Sequence, residues 1–240
     1  ISNDIQVDSR NRNQIGLLKY ILHNFGMNFT DMILCQNSYQ FDSLKKKYKS
    51  KQILKIHNPY FFEKQPAPCS RGKYVAWVGL FQYQKNLIAL LEIAMKLGNV
   101  FFHIAGESQN NLDKDTKNAL EALNRLKNVK FVGFLKKNDL LEFLSSSYCL
   151  LNTSHYEGFT NTFLEAISVG TPIIAPKSVD PDQIIERNNL GIVVNDYQEM
   201  PSQIEKVIVS GKLDYQNAGK NYLLNNHNPA QLVKKLLISI

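Results

Sequence analysis

Short apolar runs alternate with amphipathic stretches along most of the chain, most regularly from Gly72 onward. This alternation is typical of repeated strand–helix units, which assemble into a parallel sheet with helices on both faces. The predicted strands are 74–78, 100–105, 130–132, 149–152, 172–175 and 191–194. The predicted helices are 86–97, 114–126, 138–146, 161–169 and 181–187, followed by further helices in a tail interrupted near Pro201, Gly211 and Pro229. The pattern therefore predicts an α/β fold with a Rossmann-like sheet.

The pattern before Gly72 is less regular. It predicts a helix at 13–24, a strand at 32–35, a helix at 38–48 and a strand at 53–57, followed by a polar, proline-containing connection at 63–68. We assign 1–60 to the end of a preceding lobe, 61–71 to a linker and 72–240 to a second lobe. The chain opens without a Met, a basic region or an apolar region, so we expect a piece of a longer protein with no signal peptide.

Composition narrows the class of protein. With 44% hydrophobic and 20% charged residues, the chain resembles an ordinary globular protein, and its apolar runs are far shorter than a bilayer span. Its three cysteines, Cys35, Cys69 and Cys149, have neither CxxC spacing nor histidines placed for zinc. We therefore expect a cytoplasmic protein without disulfides and without a bound metal.

The formal net charge of +7 suits an anionic partner, but charge alone does not identify that partner. The densest basic cluster, Lys45 to Lys47 with Lys49 and Lys51, lies near the end of a predicted helix, where cations are favoured by the helix dipole. No stretch with repeated alternation of basic and aromatic residues and no recognition-helix pattern supports nucleic-acid binding, so nucleic acid is not expected as a partner.

The most informative segment is 153–166, between a predicted strand and a predicted helix. A helix that begins near Asn161 presents unpaired backbone N–H groups at the carboxyl edge of the sheet, where ligands bind in parallel sheets. Glu157 precedes this helix and Glu165 lies about one turn inside it. With a diphosphate on the helix end, the two carboxylates could hold sugar hydroxyls on either side. A nucleotide sugar fits this arrangement.

Plainer interpretations exist for the same residues. Thr162 and Glu165 match a capping box, in which Glu165 would only cap its own helix. Glu157 could be an ordinary exposed loop carboxylate, and Gly158 could serve only a turn. Phe159 is more easily explained as a packing residue than as a ligand contact.

A second segment of interest follows the first strand of the second lobe. Lys85 falls in the first turn of the next predicted helix, where the dipole disfavours a cation by about 0.3–1 kcal/mol. A bound anion would explain this placement, and an exposed surface lysine is the alternative. Gly79 would allow the backbone to approach a ligand closely.

Glu157 and Glu165 are the two ends of a Glu-x7-Glu motif. This motif resembles the signature of the retaining, GT-B-fold glycosyltransferases of the group 1 type, which build lipopolysaccharide, capsule and other surface glycans. Further segments agree in order and spacing, namely 58–59, 77–86, 104–107, 128–134 and 170–174, while 179–182 with Gly191 resembles a subset linked to exopolysaccharide synthesis. The resemblance covers nearly all of the chain from Cys35 onward.

The resemblance implies a role for each part of the site. Glu165 would hold the ribose, Glu157 the donor sugar and Lys85 the diphosphate. Backbone amides from Thr160 to Phe163 would assist in binding the diphosphate. The donor-binding set also includes Gly158, Phe159, Thr160, Asn161 and Thr162. Gly106 and Gly133-Phe134 would flank the base. No metal and no cofactor beyond the nucleotide-sugar substrate are implied, because a lysine and a helix end would stabilise the leaving group.

Two features depart from the family pattern. Leu80 stands where the family usually has an arginine, which leaves the diphosphate to Lys85 and the backbone unless Arg71 or another cation substitutes. Most of the amino-terminal lobe that supplies acceptor contacts is absent. We therefore expect this chain to bind donor but to transfer sugar poorly or not at all.

The resemblance also sets the partners and the alternatives. The acceptor would be a glycan or a lipid-linked glycan, with peripheral association at the inner face of the membrane through the missing lobe. The alternatives are a GT-B sugar-nucleotide epimerase, which needs no acceptor, and a non-catalytic nucleotide-binding module, which Leu80 favours.

Overall fold

The computed structural model describes residues 4–7, 16–62, 66, 72–108 and 112–239. These residues form two parallel sheets, one of two strands near the amino terminus and one of six strands. The two sheets have separate hydrophobic cores. Most of the polar connection predicted at 63–68 and most of the predicted linker lie outside the described residues.

The amino-terminal unit contains α1 (Leu17–Phe29), β1 (Met32–Cys35), α2 (Ser38–Lys47) and β2 (Gln52–Lys55). The Asn37 side chain caps α2 by accepting a hydrogen bond from the Gln40 N–H, a common way to start a helix. The predicted helix 13–24 is confirmed over 17–24 but its predicted end is wrong, because α1 continues through Gly26 and ends at Phe29; residues 13–15 lie outside the described part of the chain. A single glycine costs only about 1 kcal/mol in a helix, which is too little to end one.

The six-stranded sheet is entirely parallel. Its strands are β3 (Val75–Val78), β4 (Phe102–Ala105), β5 (Val129–Gly133), β6 (Cys149–Leu151), β7 (Ile173–Pro176) and β8 (Gly191–Val194), in the spatial order β5-β4-β3-β6-β7-β8. Each lies within two residues of the strand that the sequence predicts. The Rossmann-like sheet is confirmed.

The helices that cover this sheet are α3 (Leu87–Lys96), α4 (Lys114–Leu123), α5 (Lys137–Ser145), α6 (Asn161–Ser168), α7 (Ile184–Arg187), α8 (Met200–Ser210), α9 (Leu213–Asn226) and α10 (Pro229–Ile238). The predicted helix 181–187 is split into a 3-10 turn and the short α7. The split occurs because Asp182 and Gln183 both take left-handed backbone angles, with φ of 58°. Among the described residues, no helix is long and apolar enough to cross a bilayer.

Side chains alternate between the two faces of the sheet. Val75 and Trp77 pack into a core with α3, α4 and α8, whereas Ala76 packs into a second core with α5, α6 and α9. Strands that are buried on both faces read as continuous apolar runs, which is why the sequence revealed them. Helices on both faces are confirmed.

The order of the strands determines where a ligand can bind. From β3 the chain runs outward to β4 and β5, then returns to place β6 against the other side of β3. In open parallel sheets, ligands bind at the carboxyl ends of the strands where the order reverses. Here that point lies between the loop after β3 and the loop after β6.

Candidate functional site

Lys85 and Glu157 meet at the reversal point of the sheet. Lys85 Nζ lies 2.5 Å from Glu157 Oε1, and their side chains are only 14% and 10% exposed. Lys85 ends a 3-10 turn and precedes α3, which begins after Asn86 in a left-handed conformation with φ of 48°. The predicted position of Lys85 inside the helix is therefore wrong. The alternative of an exposed surface lysine is also wrong.

The Glu157 carboxylate is fixed by further hydrogen bonds. Ser154 Oγ donates to Oε1 at 2.8 Å, and Gln84 Nε2 donates to Oε2 at 3.2 Å. Glu157 is only 8% exposed, so it is not an ordinary exposed loop carboxylate. A carboxylate held by several donors keeps its orientation before any ligand binds.

The two loops are also tied to each other and to the core. The Trp77 indole N–H donates to Thr153 Oγ1 at 3.0 Å, and the Thr153 hydroxyl donates to the Lys85 carbonyl at 2.8 Å. The His155 backbone N–H donates to the Gln84 carbonyl at 2.9 Å. The position of the ion pair is thus set by a buried aromatic residue in the central strand.

Helix α6 starts beside this pair. Thr160 is its N-cap residue, and the Thr160 side chain makes no capping hydrogen bond. First-turn N–H groups that lack a side-chain acceptor, together with the positive end of the helix dipole, suit an anion. The predicted helix start at Asn161 is confirmed.

Glu165 lies in the second turn of α6. The capping box with Thr162 is not formed, because the N-cap is Thr160 and no side chain caps the helix. Burial raises the pKa of Glu165 to about 7, and the nearby positive charge of Lys137 opposes this rise. Glu165 is therefore a partly buried carboxyl group that a ligand with hydroxyl donors could stabilise in its charged form.

Several other predicted residues line a cleft of about 190 Å³ at the ends of β3, β4 and β5, namely Gly79, Leu80, Gly106 and Phe134. A Cβ atom at Gly106 would lie 1.9 Å from the Gly79 carbonyl oxygen, and the φ of Gly106 is +151°, so only glycine fits there. Phe134 and Leu80 are 69% and 39% exposed. The Leu80 side chain makes this part of the cleft apolar.

The other residues considered for the site are Gly158, Phe159, Gly133 and Arg71. Gly158 is buried, and Phe159 is only 7% exposed and belongs to the core beneath the sheet, so its side chain packs rather than faces a ligand. Gly133 ends β5 with φ of 76° and has open space around it. Arg71 lies outside the described residues.

A comparison with known protein families decides the assignment. The sequence model described as "Glycosyl transferases group 1" matches residues 61–236. The chain belongs to the group 1 glycosyltransferases.

Curated group 1 relatives are distant. The lipopolysaccharide core biosynthesis glycosyltransferase LpsE of Rhizobium meliloti is 25% identical over 139 residues, which cover 57% of this chain and 39% of LpsE. An uncharacterized glycosyltransferase of Haemophilus influenzae is 29% identical over 194 residues, which cover 75% of this chain and 52% of that protein. The chain thus spans about half the length of these relatives, or less.

Solved structures confirm the GT-B Rossmann-like fold. TarM of S. aureus, in complex with UDP and an α-GlcNAc-glycerol, aligns with a TM-score of 0.79 at 18% identity, covering 100% of this chain and 49% of TarM. Anabaena HepE in complex with UDP-glucose aligns with a TM-score of 0.78 at 16% identity, covering 99% of this chain and 71% of HepE.

Sequence reasoning missed several side chains of this candidate site. Ser154 and Gln84, which hold Glu157, lie next to motif residues and could have been suggested by their positions. Lys137 influences Glu165 from another helix, and no local pattern points to it. In the described part of the chain, no cluster of three or more His, Cys, Asp and Glu residues could hold a metal ion. Independence from metal stays a prediction.

Proposed function

We propose that this chain is the nucleotide-sugar-binding part of a retaining glycosyltransferase that extends a cell-surface glycan. One observation carries the proposal: the buried Lys85–Glu157 ion pair lies beside the start of α6 at the reversal point of the sheet. A cation, a helix end and a carboxylate in one place can bind a diphosphate and a sugar together.

The donor would lie across these groups. Lys85 has three N–H donors, and Glu157 uses one of them, so the ammonium group can bind phosphate while the ion pair persists. The diphosphate would also accept hydrogen bonds from the start of α6. Glu157 would hold hydroxyls of the transferred sugar, and Glu165 would hold the ribose.

Transfer would proceed with retention at the anomeric carbon. The bond from that carbon to the diphosphate oxygen breaks, and the acceptor oxygen forms the new bond on the same face of the sugar. The acceptor proton passes to a diphosphate oxygen. Lys85 and the α6 dipole would stabilise the charge that builds on the leaving diphosphate, so we propose that no metal is needed.

The relatives support a choice of donor and acceptor. TarM and HepE were solved with UDP, and HepE with UDP-glucose, which makes a uridine diphosphate sugar the first donor to test. LpsE acts in lipopolysaccharide core biosynthesis, which supports a glycan or lipid-linked glycan as the acceptor. We place this reaction in the cytoplasm, at the inner face of the membrane when the acceptor is lipid-linked.

The amino-terminal unit would belong to the other lobe of the enzyme. Its own two-stranded sheet and its own core support the division into 1–60 as the end of the acceptor lobe, 61–71 as the linker and 72–240 as the donor lobe. Acceptor contacts would come mainly from the parts of that lobe that this chain lacks. The isolated chain should therefore bind donor and transfer sugar poorly or not at all.

Calorimetric titration with UDP, GDP, ADP and the matching nucleosides tests the proposal. Lys85→Met should weaken binding of the preferred diphosphate about tenfold to a hundredfold, the worth of a charge-assisted hydrogen bond. Binding of its nucleoside should hardly change, because the nucleoside has no phosphate. Glu165→Gln should weaken both ligands to the same degree.

Two controls keep this test interpretable. Lys96→Met removes an exposed lysine at the end of α3 and should leave both affinities unchanged. The double variant Lys85→Met with Glu157→Gln avoids a buried unpaired carboxylate and should also show the loss of diphosphate affinity. Diphosphate binding that is unaffected by either Lys85 variant would refute the assigned role of Lys85.

Leu80 favours a second candidate, a non-catalytic nucleotide-binding module. Its apolar side chain lies in the cleft where the family usually has an arginine. Leu80→Arg should then increase affinity for the diphosphate without affecting the nucleoside. Sugar transfer by a longer protein that retains Leu80 would exclude the non-catalytic candidate, whereas donor binding without transfer would support it.

A further inference from the structure

A fully buried histidine lies beneath the proposed donor site. His227 occupies the break between α9 and α10 and is 0% exposed. Its ring stacks on Phe159 with centroids 5.3 Å apart, and on His57 with centroids 5.1 Å apart. Phe159 follows Glu157 by two residues, so this ring supports the loop that carries the carboxylate.

Both ring nitrogens of His227 have partners. Nδ1 lies 2.7 Å from the Asn58 carbonyl oxygen, which can only accept, so Nδ1 carries the proton and donates. Nε2 lies 3.1 Å from the Tyr222 hydroxyl and therefore accepts from it. Burial lowers the pKa of His227 to about 4, which agrees with a neutral ring that keeps this tautomer.

Asn58 connects this histidine to the start of α6. Its Oδ1 accepts from Gln36 Nε2 at 2.6 Å, which directs the Nδ2 group toward Asn161. Nδ2 donates to Asn161 Oδ1 at 2.9 Å. Asn161 is the first residue of α6, where the diphosphate would bind.

These contacts hold both ends of one short segment. His227 fixes Phe159 directly and Asn161 through Asn58, and 159–161 leads from the loop into the helix. The contacts of His227 and Asn58 therefore join three parts of the chain: the amino-terminal unit, the α9–α10 break and the segment that leads into α6. Packing alone would not explain the hydrogen bond from Asn58 to Asn161, because the Asn161 side chain is exposed.

We propose that His227 and Asn58 are positioning residues that preorganise segment 159–161 for the donor diphosphate. The proposal rests on the proposed function, since it deepens the account of the same site. A segment that is already ordered loses less conformational freedom when the ligand binds, and this appears as tighter binding. Neither residue needs to contact the donor.

Two substitutions of His227 separate the contacts. His227→Phe keeps a ring over Phe159 but removes both hydrogen bonds, whereas His227→Gln keeps hydrogen-bonding groups and removes the ring. Each should weaken UDP binding about five- to tenfold, the effect of ordering one or two side chains on binding. Asn58→Ala should act through Asn161, so its effect should largely disappear in an Asn161→Ala background.

The matched control is His103→Phe. His103 also lies in a ring stack, 3.9 Å from the Tyr74 centroid, but in β4 and away from segment 159–161. It should change the melting temperature at most and leave the UDP affinity unchanged. Variants of His227 that lower the melting temperature but bind UDP as tightly as the wild type would show a merely structural role and overturn the proposal.

Amide hydrogen exchange gives a readout that needs no ligand. In the nucleotide-free chain, His227→Phe should speed exchange at Phe159, Thr160 and Asn161 more than in the core strands. Uniform acceleration, or none, would overturn the proposal. If the wild type binds no nucleotide, the proposed function fails, and this exchange pattern still decides whether His227 and Asn58 order the segment.

Discussion

The partly buried carboxyl group of Glu165 is predicted to lower the free energy of unfolding, although it is proposed to bind the donor. Burial raises its pKa from the ordinary value of 4.5 to about 7, against the opposing charge of Lys137. Between these pH values the folded protein binds more protons at this carboxyl than the unfolded chain does. Stability therefore falls as pH rises through this range, and the full cost is present above pH 7.

The size of this cost follows from the raised pKa. For a fully buried carboxyl group, a rise in pKa from 4.5 to about 7 would lower the free energy of unfolding by at most about 3.4 kcal/mol, at about 1.36 kcal/mol per pH unit. Because Glu165 remains partly exposed, solvent screening reduces the expected cost to about 1–2 kcal/mol. Glu165→Gln, which keeps the shape and removes the charge, should be more stable than the wild type by about this amount at pH 8 and nearly equal to it at pH 4, where the carboxyl group is largely protonated in both states.

Urea unfolding at the two pH values measures the difference. The control is Glu142→Gln, which changes an exposed carboxylate on α5 and should alter stability little at either pH. A Glu165→Gln variant that is less stable than the wild type at pH 8, or one whose gain is the same at pH 4, would refute the assigned burial cost.

The same carboxyl group should make donor binding depend on pH. If only the charged form accepts the ribose hydroxyls, the wild-type affinity for UDP-glucose should fall about tenfold from pH 8 to pH 6. UDP-glucose is the suitable ligand because its diphosphate is esterified at both ends and has no group that titrates in this range. Glu165→Gln should bind more weakly and show a flat profile.

Three further predictions concern the framework of the site. Glu157→Gln leaves Lys85 charged in a buried place and should lower the urea unfolding free energy by about 3 kcal/mol, with partial recovery when Lys85→Met is added. Gly106→Ala forces a Cβ against a backbone carbonyl and should cost about 2 kcal/mol or more, with a lowered melting temperature. Thr153→Val leaves the Trp77 indole N–H without its acceptor and should cost about 1–2 kcal/mol by the same urea assay.

Much of the fold could be predicted because its strands are buried on both faces. Ile173–Pro176 is wholly buried, and such strands stand out as apolar runs between turn residues. The break in the helix predicted at 181–187 could not be predicted, since nothing in the sequence marks the left-handed backbone of Asp182 and Gln183. That backbone is maintained by tertiary contacts, including the hydrogen bond from the Ser38 N–H to the Asp182 carboxylate.

Individual residues of the site could be predicted from the sequence, but the contacts between them could not. Glu157 and Lys85 could each be identified from local sequence, yet their pairing depends on the reversal of strand order that brings β6 beside β3. His227 and Asn58 are 169 residues apart, and their contact requires α9 and α10 to return to the amino-terminal unit. Local patterns cannot reveal such contacts because they report only on neighbouring residues.

The central claim is that the start of α6 and Lys85 together bind the diphosphate of a nucleotide sugar. A crystal structure of this chain with UDP tests it most directly. The account predicts a phosphate oxygen about 3 Å from Lys85 Nζ, with further hydrogen bonds from backbone N–H groups at the start of α6 and with the ribose on Glu165. A diphosphate bound away from Lys85 and α6, or no UDP at millimolar concentration, would contradict the account.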